Sequence, residues 1–110
     1  MSSKASNQTA EPTASSALDA LGDECARIIL VATSEKPRTA KELTARTDSS
    51  SATVYRRIND LIESGLVEEC IRFEEDGSHT TAYEATIDHL SVRINADGIS
   101  VVPVSEDGLE

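Results

Sequence analysis

The sequence predicts an α+β fold in which three helices precede two β-hairpins, and three observations carry that reading. Apolar residues recur at spacings of three and four from Leu18 to Ile62, the period of helices with one buried face. Beyond Gly65 the pattern changes to short runs rich in Val, Ile and Thr, one of which alternates strictly with polar residues. Two Asp-Gly pairs, Asp76-Gly77 and Asp97-Gly98, then divide this half of the chain into pairs of strands.

Residues 1–16 hold five serines and Pro12, with too little apolar area to offset the entropy of ordering, and are expected to form a disordered arm. Leu18, Leu21, Cys25, Ile28, Ile29 and Ala32 make one stripe of a first helix, which Gly22 and Asp23 can break or cap near its start. Leu30 and Val31 widen its apolar face, which suggests a second neighbour such as a partner subunit. Pro37 disfavours helix at Lys36 and marks a turn. Thr39-Ala40-Lys41-Glu42 has the form of a capping box, opening a second helix that buries Ala40 and Leu43 and ends near Thr47. Asp48-Ser49-Ser50-Ser51 supplies a turn and an N-cap. In the third helix Val54, Ile58, Leu61 and Ile62 face inward, and Gly65 stands where a left-handed C-terminal cap is wanted. Strands 66–73 and 80–87 flank Glu74-Glu75-Asp76-Gly77-Ser78, with Phe73 and Tyr83 read as sheet packing. Leu90, Val92 and Ile94 alternate with Ser91, Arg93 and Asn95 before Ala96-Asp97-Gly98 turns into a last strand, 99–104. The chain thus divides into an arm (1–16), one domain (17–104) and an acidic tail (105–110).

Twenty Asp and Glu against ten Lys and Arg give 110 residues a net charge of −10, and only three of the bases are lysines. Such an excess repels itself in dilute salt and argues against anionic partners. It suits either a basic partner or a cytosol of molar salt, where the Debye length falls to about 3 Å. The longest apolar run, Ile28 to Ala32, is far short of the roughly 20 residues of a membrane helix. The N-terminus lacks the apolar region of a secretory signal, so a cytoplasmic location is expected. No GxGxxG, Walker, HExxH or GxSxG pattern occurs, which points to a binding module rather than an enzyme. Cys25 and Cys70 stand 45 positions apart without a CxxC and read as small buried thiols. A metal set of Cys25, Cys70, His79 and His89 has no compact ligand spacing behind it, a redox pair of Cys25 with Cys70 has no positive support, and no cofactor is expected.

The informative segment is Lys36 to Arg57. It carries six basic residues (Lys36, Arg38, Lys41, Arg46, Arg56 and Arg57) against Glu42 and Asp48, a local charge of +4 in a chain of −10. A short helix, a serine-rich turn and a second helix with Arg56 and Arg57 opposite its apolar stripe is the arrangement that lays a recognition helix in the major groove.

TAKELTARTDSSSATVYRRINDLIESGLVEE resembles the winged helix-turn-helix regulators of the ArsR, MarR and TrmB type, especially their small haloarchaeal members. The resemblance runs over roughly residues 25 to 87. It implies a winged helix-turn-helix of three helices plus a β-hairpin wing, here with an extra C-terminal β-hairpin, acting on double-stranded DNA as a homodimer and transcription regulator. Ser51, Thr53, Tyr55, Arg56 and Arg57 match the recognition-helix surface, and Arg72 to His79 match the wing. Ser49 and Ser50 join as capping and phosphate-contact candidates, and Arg38 and Lys41 as phosphate contacts. The wing tip, Glu74-Glu75-Asp76, is acidic where related proteins often place Arg or Lys, so cations are expected between it and phosphate. No long helix follows the wing, which leaves the first helix or the last hairpin for dimerisation. The alternative is a winged-helix protein-interaction module whose acidic wing and tail bind a basic partner. A plainer reading of Arg56 and Arg57 themselves is a solvated helix face paired with Asp60 at the i,i+4 and i,i+3 spacings.

Overall fold

Gly22 and Asp23 split the first expected helix in two. In the computed structural model, which describes residues 14–104, α1 (Ala14–Leu21) closes with the Gly22 N–H donating to the Leu18 carbonyl at 2.9 Å. The next helix, α2 (Glu24–Glu35), starts from Asp23, whose carboxylate accepts the Ala26 N–H at 2.8 Å. The break resets the helical phase. Ala17 and Ala20 of α1 are buried, whereas Leu18, expected on the buried stripe, is 39% exposed. On α2 the stripe resumes as Cys25, Ile29 and Ala32, joined by a buried Thr33 whose hydroxyl donates to the Ile29 carbonyl. Ala14 to Ser16, assigned by sequence to the arm, begin α1. The rest of that arm and the acidic tail lie outside the described residues.

The capping box forms as its residue types dictate. Thr39 Oγ1 accepts the Glu42 N–H and the Glu42 carboxylate accepts the Thr39 N–H, both at 3.1 Å, opening α3 (Ala40–Ala45). Of the serines in the following turn, Ser50 is the N-cap of α4 (Ser51–Glu63), its Oγ accepting the Thr53 N–H at 3.1 Å. That helix ends in a Schellman arrangement. Gly65 takes φ 79°, and the N–H groups of Gly65 and Leu66 donate to the carbonyls of Ile62 and Leu61. Ile29, Leu43, Val54, Ile58, Leu61 and Leu66, none more than 1% exposed, form the centre of the core where α2, α3 and α4 meet.

Antiparallel strands β1 (Val67–Phe73) and β2 (His79–Ala85) make the wing, with Cys70 opposite Ala82 and Phe73 opposite His79. The linker before α3 is stitched to this hairpin. Backbone bonds run both ways between Arg38 and Tyr83, at 3.0 and 2.8 Å, so β2 has a neighbour on its other edge. Tyr83 is buried, as expected of sheet packing, but Phe73 is 71% exposed. The Phe73 ring meets that of His79, its cross-strand partner, edge to face with centroids 4.5 Å apart. Strands β3 (His89–Asn95) and β4 (Gly98–Val104) pair in a second, separate two-stranded sheet that leans on α1 through β4. The architecture is therefore α+β: helices, a wing hairpin, then an extra C-terminal hairpin.

Candidate nucleic-acid interface

With Val54, Ile58 and Leu61 turned into the core, the 3.6-residue period leaves Ser51, Ala52, Tyr55, Arg56 and Asn59 exposed along the opposite face of α4. Ala52 and Asn59 escaped the sequence reading. Their signal was the period itself, which puts positions three and four away from Tyr55 and Arg56 on one face. Thr53 is half-buried, its N–H and hydroxyl both engaged by Ser50. Ser49 is half-buried as well, its N–H donating to Thr47 Oγ1. The first turn of α4 contains no acid, so the positive end of the helix dipole is uncompensated where the exposed face begins.

Two expected DNA contacts, Arg57 and Arg38, are engaged within the fold. Arg57 is one residue, and hence about 100° of rotation, beyond Arg56. That turn aims it at the α1–α2 corner, where Nε lies 3.0 Å from Asp23 Oδ2 and Nη1 lies 3.2 Å from Asp60 Oδ2. The Nε contact is an ion pair without hydrogen-bond alignment. Hydrogen bonding from Ala26, assisted by Arg57, holds the Asp23 carboxyl below the usual range against the effect of burial. Arg38 is buried. Its Nε donates to the Ala32 carbonyl at 3.0 Å and its Nη2 pairs with Glu35, so its guanidinium closes the end of α2. Among the described residues Lys36, Lys41, Arg46 and Arg56 are the exposed bases of the segment that make no ion pair. Arg46 lines a groove on the α2 side with Glu24 and Ile28.

A groove of about 910 Å³ separates the helices from the wing, with Lys41, Ala45 and Tyr55 on one wall and Ser78, His79 and Thr81 on the other. Its width is set by Arg72 of β1. Nη1 and Nη2 of Arg72 donate to the two carboxylate oxygens of Glu42 at 2.9 Å each, and Nε donates to Glu74 at 2.9 Å. A forked guanidinium on a carboxylate fixes direction as well as distance, so the wing is held at one angle to α3 and therefore to α4. Hydrogen bonding from Arg72 lowers the Glu42 carboxyl to about 2, and the same pairing pushes the Arg72 guanidinium up. Because the folded value lies below the ordinary one, the stability this clamp contributes is complete above about pH 5 and is lost as pH falls towards about 2. Urea unfolding across that window should show the wild type approaching Glu42→Gln in stability as the acid range is entered. A difference that stays constant with pH would contradict the clamp.

Arg72 also neutralises one acid of the wing tip. Glu74 is its partner, whereas Glu75 and Asp76 project into solvent. Asp76 shapes the turn: its Oδ1 accepts the Ser78 N–H at 2.9 Å and the Ser78 hydroxyl at 2.6 Å, and these bonds lower its carboxyl pKa. Gly77 follows at φ 89°, a conformation that glycine alone adopts without strain.

Residues 9–70 match the family model of a helix-turn-helix domain, a span that covers more than half of the chain. The chain belongs to the helix-turn-helix domain family. In this domain α3, the serine turn and α4 are the helix-turn-helix, and α4 is the second helix. The match ends within β1, so most of the wing and the whole β3–β4 hairpin lie beyond it. No curated protein matches the sequence. Among the described residues no helix is long and apolar enough to cross a membrane, and no three His, Cys, Asp or Glu side chains are grouped to hold a metal ion. Cys25 and Cys70 are both free thiols, and burial, with Glu84 and Glu68, raises that of Cys70.

Proposed function

We propose that this helix-turn-helix domain is a sequence-specific transcription regulator of the winged ArsR, MarR and TrmB type, binding double-stranded DNA as a homodimer in a salt-rich cytoplasm. The observation that carries the reading is the exposed face of α4, on which Ser51, Ala52, Tyr55, Arg56 and Asn59 are free of the core and Arg56 makes no ion pair among the described residues. Each suits a base or phosphate partner. Arg56 is the type that donates in bidentate fashion to guanine O6 and N7, Asn59 the type that pairs with adenine N6 and N7, and the Ala52 methyl suits the methyl of thymine. Ser50 and Ser51 at the start of α4, and Lys41 on the groove wall, suit phosphate oxygens, which fix register without reading sequence. Selection from a random duplex library in molar KCl tests the reading: it should enrich one motif with the wild type. An empty selection would overturn it.

The acidic wing tip favours a second reading, a protein-interaction module for a basic partner, and it also sets a specific expectation for the first. Ordinary DNA-binding proteins lose affinity with a log-log slope near −0.9 per neutralised phosphate. Here Glu75 and Asp76 approach the duplex with cations taken up between carboxylate and phosphate, so the slope should be flattened or reversed. Glu75→Gln with Asp76→Asn, which keeps the oxygen that accepts from Ser78, should restore a steep negative slope. The cation account fails if binding isotherms from low to molar KCl give the double variant the wild-type slope.

A further inference from the structure

The β3–β4 hairpin carries a face with no polar side chain. Register pairs Leu90 with Pro103, Val92 with Val101 and Ile94 with Ile99, and residues in register share a face, so all six are apolar. Among the described residues only part of that face is covered: Leu90 packs against the core and Val101 is half-buried. Towards the turn, Val92, Ile94 and Ile99 are 50%, 72% and 50% exposed. An isolated two-stranded hairpin is marginally stable in water, and this one belongs to no larger sheet.

We infer that this face is the seam at which two copies of the chain join, Val92, Ile94 and Ile99 of one protomer packing on those of its partner. Charge selects the occupant. In a chain of net charge −10, residues 89–104 hold one arginine, Arg93, and one acid, Asp97, so the hairpin is the neutral surface on which two like-charged copies can meet. A basic partner would seek the acids, which lie elsewhere. Residues 1–13 and 105–110 contain only Met1 and Leu109 as large apolar side chains, too few to match a face of six apolar residues. Proline at 103 also removes a donor from β4, which favours packing by face over adding a strand at that edge. A hairpin face is smaller than the roughly 800 Å² per partner of a standard interface, so the dimer is weak and concentration-dependent. High salt, which screens the repulsion of the remaining acids, tightens it.

The inference deepens the homodimer of the proposed function and rests on that reading for its purpose alone. Sedimentation of the full chain from micromolar to near-millimolar concentration, in dilute and in molar KCl, tests it. The wild type should approach twice the chain mass of 11.8 kDa at high concentration in molar KCl. Ile94→Asn, and independently Ile99→Asn should the first not fold, should weaken the dimer at least about tenfold. Ile94→Leu should retain it, and so should Val31→Asn on the exposed side of α2. A wild type that stays monomeric throughout would overturn the inference. So would a dimer that survives both hairpin changes, or one that Val31→Asn disrupts as well. Binding of Ile94→Asn to a single DNA half-site keeps the two readings apart: loss of the dimer with half-site binding intact supports the seam, and a failure of DNA binding in the wild type leaves the sedimentation result standing.

Discussion

Replacing Ile58 with alanine should cost about 2–5 kcal/mol of stability, the range for truncating a fully buried aliphatic side chain. Ile58 is 1% exposed at the middle of α4, the helix that packs against α1, α2, α3 and β1. The lost carbons therefore open a cavity in the core that α4 shares with its neighbours. In a domain of this size 1 kcal/mol moves the melting temperature by roughly 4–8 °C, so the loss is readable by heat as well as by urea. Val31→Ala, at a site 64% exposed, is the matched control and should stay within about 0.5 kcal/mol. Equal losses from the two changes would contradict the placement of the core.

What the sequence made legible was local. The capping box at Thr39 and Glu42, the glycine cap at Gly65 and the hairpin turns at Gly77 and Gly98 depend on residues within a few positions of one another. Each falls where its residue types put it. What the sequence left out has two causes, a helix restart that one stripe does not show and partners that only the fold brings together. Periodicity carried one stripe through Gly22 and Asp23, but capping by Asp23 restarts the helix and turns Leu18 outward. Charge counting placed Arg38 and Arg57 with Arg56. Glu35 is only three residues from Arg38, and Asp60 only three from Arg57, whereas Asp23 meets Arg57 only when the α1–α2 corner folds against α4. The clamp from Arg72 to Glu42 joins residues 30 apart and left no sequence signal at all. Asn59 differs, since the helical period that exposed Arg56 exposed it too.

The distinction between Arg56 and Arg57 carries the functional account. If α4 enters the major groove, Arg56→Ala should cost about 1–3 kcal/mol of affinity and relax base preference at one position. Asn59→Ala should do the same at a neighbouring position. Arg57, turned towards Asp23 and Asp60, should behave otherwise: its alanine variant should lose about 1 kcal/mol of stability and keep both affinity and preference when fully folded. Sequence alone makes the two arginines equivalent, and a helix face that is merely solvated would give neither effect on binding. The most direct measurement is therefore fluorescence anisotropy in molar KCl, with the selected duplex and its single-base variants, for the wild type and the Arg56→Ala and Arg57→Ala variants. The account predicts that Arg56→Ala alone loses affinity and base discrimination. Arg56→Ala binding as tightly and selectively as the wild type would contradict it.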